Sequence, residues 1–117
     1  MAAQSIVGEK SLAFAKRTAR CYRYLRDKKK EIVMSKQLLR CGTSIGANVR
    51  EGQYAQSKKD FISKMNIALK EAGETDYWLD VIHSAGYFND EEYTSLDADN
   101  KELLRMLAAI VKTSKEK

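Results

Sequence analysis

Arg40, Ser44, Asn48 and Glu51 recur four, four and three residues apart, a spacing that aligns side chains along one helix face. A guanidinium with a hydroxyl and an amide in line below it can grip a phosphate backbone. The same groups can instead form a polar seam between two helices, with Glu74 meeting Arg40 and Thr75 meeting Asn48. The seam is the preferred reading, because small polar side chains permit close helix approach and buried polar groups need partners. Upstream lies a second set. Lys16, Arg20 and Arg23 share a ridge, with Arg17 and Tyr24 beside it and Lys28, Lys29 and Lys30 below. Such a ridge can track phosphates while Tyr24 stacks on an unpaired base. The plainer alternative is a solubilising face.

Catalytic chemistry finds no comparable footing. Asp80 and His83 have the carboxylate-x-x-histidine spacing of metal-binding bundles, but the chain has one histidine, and such sites need several more inward carboxylates. Neither Cys21 nor Cys41 has a histidine placed by sequence to activate it, and no glycine-rich phosphate loop is present. Tyr77 and Trp78 read as core or subunit-contact aromatics rather than as a binding box. No catalytic residue, metal ligand or cofactor is expected.

Helices must position these residues. The chain of 117 residues has no proline and six scattered glycines, which suits long helices with short links. Apolar periodicity predicts a first helix over about 5–26, with Val7, Phe14, Ala15, Thr18, Cys21, Tyr22 and Leu25 inward. A second over about 31–53 turns Met34, Leu38, Cys41, Ile45 and Val49 inward. A third opens on an N-cap at Ser57, with Asp60 three residues on, and closes at a left-handed Gly86. The fourth starts at Asn89 with Glu92 as its capping partner, and frays near Thr113. Gly42 and Gly46 inside the second helix each cost about 1 kcal/mol relative to alanine, so they imply close helix approach or a local bend. Four helices with short links fold most simply as an all-α, up-down-up-down antiparallel four-helix bundle, one domain over 1–117.

The net charge of +5 hides an asymmetry. Residues 1–50 carry 12 Lys or Arg against 3 Asp or Glu, and residues 51–117 carry 9 against 13. Either the front half meets a polyanion or copies associate head to tail. No export signal or long apolar run appears, so a soluble cytoplasmic protein with reduced thiols and no membrane partner is expected.

Two blocks carry a resemblance. The first is Gln37-Leu38-Leu39-Arg40-Cys41-Gly42-Thr43-Ser44-Ile45-Gly46-Ala47-Asn48-Val49-Arg50-Glu51-Gly52. The second is Ala68-Leu69-Lys70-Glu71-Ala72-Gly73-Glu74-Thr75-Asp76-Tyr77-Trp78-Leu79, closing with Gly86-Tyr87, and Ser57-Lys58-Lys59-Asp60-Phe61 lies between the blocks. Together they resemble the bacterial four-helix-bundle proteins first noticed as products of intervening sequences within 23S ribosomal RNA genes. The first and fourth helices match only in length and character. The resemblance implies a left-handed bundle, a ring-shaped homopentamer, and kinship with the accessory variability proteins of diversity-generating retroelements. Those are basic barrels that associate with a reverse transcriptase and with nucleic acid. The family often has proline where this chain has Gly46, so a kink there would be softer; no catalytic residues come with the resemblance. The expected function is a non-enzymatic, self-assembling scaffold that binds RNA or DNA–RNA through its basic ridge. The alternative is a protein-interaction module whose charge asymmetry orders its subunits. In either case the subunit contact is expected at exposed apolar residues of the third and fourth helices.

Overall fold

The structure, a computed structural model, describes residues 2–116, with side chains from Ile6 onward. It consists of four helices: α1 (Ala2–Asp27), α2 (Val33–Gln53), α3 (Lys58–Ser84) and α4 (Asp90–Glu116). No strand occurs among the described residues. Each helix packs on its neighbour in sequence, and α1 also packs on α4, while the backbones across either diagonal stay apart among the described residues. This is the expected up-down-up-down bundle. It measures 46 × 21 × 19 Å, about one long helix by two helix diameters.

The stripes that define the predicted helices are the stripes that close the core. Leu25 of α1, Leu38 and Ile45 of α2, Met65, Leu79 and Ile82 of α3, and Leu103 and Leu107 of α4 are all essentially inaccessible to water. Burying each such side chain contributes about 1.5–3 kcal/mol, so the shared seam, more than helix propensity, holds the rods. None of the helices among the described residues is long and apolar enough to cross a membrane.

Local chemistry fixes where each helix stops and starts. Lys30 takes a left-handed backbone (φ 58°) that turns the chain after α1. Glu31 was expected to open α2, but it lies outside the helix and caps it. Its carboxylate accepts from the backbone N–H groups of Val33 (3.0 Å), Met34 (3.1 Å) and Ser35 (2.8 Å), and the Ser35 hydroxyl donates to the Glu31 carbonyl (2.8 Å). The Ser57 hydroxyl oxygen accepts from the Asp60 N–H at 3.0 Å and starts α3 as predicted. Gly86 (φ 89°) ends α3: its N–H donates to the His83 carbonyl at 3.0 Å, and the Tyr87 N–H reaches Ile82 at 3.2 Å. Asn89 and Glu92 cap α4 reciprocally, at 2.8 and 2.9 Å. Two bounds differ from expectation, for α1 begins at Ala2 and α4 continues to Glu116.

Gly42 and Gly46 serve close approach. A Cβ on Gly42 would lie 2.7 Å from Thr18 Cγ2, and one on Gly46 would lie 3.1 Å from the Ser11 carbonyl oxygen. Side chains there would push α1 off α2. The helix runs unbroken through both.

Candidate nucleic-acid interface

Lys16, Arg20 and Arg23 lie on the outward face of α1, and Lys28, Lys29 and Lys30 fill the connector to α2; all six are exposed. None of the six makes an ion pair among the described residues. Tyr24 stands beside them, 37% exposed, with the Lys29 ammonium 6.0 Å from its ring centre. Arg17 is different. Its guanidinium donates to Asp99 Oδ2 (2.7 Å), to the Ser95 hydroxyl (2.7 Å) and to the Ser95 carbonyl (3.2 Å), clasping α1 to α4. Lys10 with Glu102 (3.2 Å) extends that clasp. Arg17 therefore sits beside the ridge with three hydrogen bonds already made to α4.

The Arg40 stripe faces α3. Arg40 meets Glu74 at 2.7 Å and Glu71 at 3.5 Å, and Glu51 meets Lys64 at 3.2 Å. Ser44 and Asn48 bond back along their own helix, to the carbonyls of Arg40 (2.6 Å) and Ser44 (2.9 Å). The expected contact of Asn48 with Thr75 does not form, and the Thr75 hydroxyl donates to the Glu71 carbonyl instead (2.8 Å). Register explains the miss. The Arg40–Glu74 and Glu51–Lys64 bridges set Asn48 level with residue 67, so Thr75 lies about eight residues, or about 12 Å, further along α3. The stripe is thus an ion-paired rim at both ends with a self-satisfied middle.

Most carboxylates of the acidic half already have partners within the chain. Lys101 joins Asp76 (2.6 Å) to Asp97 (3.3 Å), and Tyr93 donates to Asp80 (2.6 Å). His83 reaches Asp90 at 2.8 Å and stacks on Tyr93 with ring centres 4.1 Å apart. Asp80 and His83 thus meet the same residue, Tyr93, one at its hydroxyl and the other across its ring. Of the 13 carboxylates in residues 51–117, only Glu91 and Glu116 lack an ion pair or hydrogen bond among the described residues. At the far end of the bundle, Arg50, Lys58, Lys59, Lys112 and Lys115 also have no ion pair among those residues. Sequence reading missed that end, because only the topology brings the α2–α3 connector and the α4 terminus together.

Both cysteines are free. Burial pushes the Cys21 thiol up to about 11 and raises that of Cys41, which keeps both protonated and poor nucleophiles at neutral pH. Tyr77 and Trp78 meet edge to face at 5.0 Å, Trp78 packed on the core and Tyr77 60% exposed. Ile67 is the other large apolar side chain exposed on α3. On α4 the expectation fails: none of its described large apolar residues is exposed, because its stripe is narrow and turned fully inward.

The model of the 23S rRNA-intervening sequence protein family matches residues 3–109, and the chain belongs to that family. Among solved structures, it is similar to a protein described as of unknown function, from the S23 ribosomal protein family of Bacteroides thetaiotaomicron VPI-5482. The two are 50% identical with a TM-score of 0.93, over 94% of this chain and 98% of the other. Nothing among the curated proteins matches.

Proposed function

We propose that this member of the 23S rRNA-intervening sequence protein family acts by binding rather than by catalysis. It is a homo-oligomeric scaffold, a pentamer on the family resemblance, that engages RNA or a DNA–RNA hybrid, alone or with a nucleoprotein such as a reverse transcriptase. One observation carries the reading: the ridge cations are exposed and free of ion pairs among the described residues, whereas most carboxylates of the acidic half already have partners within the chain. Head-to-tail attraction between copies would have to compete with those partners. A polyanion needs only the cations.

Self-association draws support from α3. Ile67 and Tyr77 are exposed there, two large apolar side chains with no cover inside the bundle.

Retention of RNA and DNA across a salt series tests the reading, with light scattering run alongside. Binding at low salt is expected, and log affinity should fall linearly with log salt while the particle mass holds. Arg20→Ala and Arg23→Ala should each lower the slope by about one unit, whereas Arg17→Ala should leave it unchanged and reduce stability instead. Absence of binding at low salt, or equal effects of Arg17 and Arg20, would count against it. Loss of the oligomer itself at high salt would favour the protein-interaction module.

A further inference from the structure

Of the four helix seams, that between α1 and α4 is the sparsest. Near the α3–α4 connector it opens into a groove of about 300 Å³. Cys21, Phe88 and Leu96 form the floor, Arg20, Tyr24 and Arg17 (already bonded to α4) stand on the α1 rim, and Glu92 stands on the α4 rim. Phe88 and Leu96 are each 5% exposed, so the core holds the floor rigid. The Cys21 thiol, uncharged for the reason given above, leaves that floor without charge. Arg20 makes no ion pair among the described residues, and Tyr24 is exposed on the rim with the Lys29 ammonium over its ring.

We infer that this groove seats an unpaired nucleobase of a single-stranded nucleic acid, with its ring against Tyr24 and its flanking phosphates on Arg20 and Arg23. The inference rests on the nucleic-acid reading above and adds a strand preference to it. Charge sets the orientation. Phosphates are drawn to the cationic α1 rim and repelled from Glu92, which leaves the base edge, with its N–H donors, facing the carboxylate. Glu92 already accepts from the Asn89 N–H through Oε1, and no protein group among the described residues occupies Oε2. A duplex cannot use such a groove, because its bases are stacked and paired.

Strand preference separates this inference from the ridge alone. A purely electrostatic ridge favours the duplex, whose charge density and counterion release are greater. Preference for a single strand requires stacking, and loss of one base–aromatic contact weakens binding about tenfold. The test is fluorescence anisotropy of the full chain with a short labelled RNA, single-stranded or annealed to its complement, at low salt; a DNA pair serves as a second arm. The expected result is tighter binding of the single strand. Tyr24→Ala, which changes no charge and alters an exposed residue, should remove that advantage and leave duplex binding as it was. Equal or tighter binding of the duplex by the native chain overturns the groove and leaves the ridge standing. So does Tyr24→Ala weakening both strands alike. Failure of both RNAs to bind overturns the ridge reading itself, and the groove with it.

Discussion

Gly42 and Gly73 occupy the interiors of neighbouring helices, and the same substitution at each should act in opposite directions. Alanine in place of helical glycine gains up to about 1 kcal/mol from backbone entropy alone. At Gly73 nothing opposes that gain, since no atom lies within 4 Å of the new methyl group. At Gly42 the methyl group would sit 2.7 Å from Thr18 Cγ2, 2.9 Å from its Oγ1 and 3.2 Å from its Cβ. Thr18 is buried, β-branched and held by a 2.8 Å hydrogen bond to the Phe14 carbonyl, so it has no free rotamer to yield into. Overpacking of that kind costs about 1–3 kcal/mol, which outweighs the propensity gain by up to about 2 kcal/mol. For a domain of this size 1 kcal/mol moves Tm by about 4 °C. Gly73→Ala should therefore raise Tm by about 2–4 °C, and Gly42→Ala should lower it by up to about 8 °C, read by circular dichroism melts of the full chain. Pairing Gly42→Ala with Thr18→Ala removes the two closest atoms and should recover much of the loss, a coupling that separate sites do not show. Equal Tm shifts for the two glycine variants, or simple additivity with Thr18→Ala, would refute the close-approach argument.

Two further perturbations probe the polar framework. Burial works to raise the Glu31 carboxyl, but three backbone N–H donors outweigh it and hold the group below the usual carboxylate range. A folded value below the unfolded one means stabilisation that is complete above about pH 4.3 and fades as the pH falls through the folded value. Glu31→Gln should thus cost about 1 kcal/mol at neutral pH and almost nothing in strong acid; a constant deficit in melts across that range would contradict the capping assignment. Arg40→Ala removes a half-exposed bridge worth at most about 1 kcal/mol and takes the nearest cation from Glu71. The expected outcome is a Tm lower by up to about 4 °C with an unaltered salt slope of nucleic-acid binding. Unchanged stability combined with lost binding would return the stripe to the phosphate-gripping role.

The fold was legible because its determinants are local. Ser57, Gly86 and the Asn89–Glu92 pair each act within a few residues, so their chemistry can be read from spacing. Leu38, Ile45, Leu79 and Leu107 announce their burial through helical periodicity. Glu31 was misplaced by two residues because glutamate is a common helix residue, and its capping role depends on the left-handed turn at Lys30. Site contacts were legible only where the register allowed. Arg40 and Glu74 could be paired by charge, whereas Asn48 and Thr75 are both small and polar, and nothing in their types reveals the offset between them. Arg17 is the sharper case. Beside Lys16 and Arg20 it looks like one more ridge cation, yet it is turned about a quarter of the helix circumference toward α4, where Ser95 and Asp99 receive it.

That turn also decides how the ridge responds to salt. On one side α1 rests on α2 through contacts of Thr18 with Gly42 and of the Ser11 backbone with Gly46, which depend on shape and not on charge. On the other side it is tied to α4 by Lys10–Glu102 and Arg17–Asp99, half-exposed pairs that ions screen over about 8 Å at physiological strength. Raising the salt concentration weakens those pairs, while the buried Phe14, Leu103 and Leu107 hold α1 on the shared core and its seat on α2 persists. The outward face that carries Lys16, Arg20 and Arg23 keeps its place on the bundle, so a salt-dependent loss of polyanion binding reports phosphate contacts and not a displaced helix. At the α1–α4 groove the stacked base adds a contact that salt does not screen, while duplex binding carries the steeper salt slope. Single-strand preference should therefore grow as salt rises, and a preference that fades instead would contradict the stacked base.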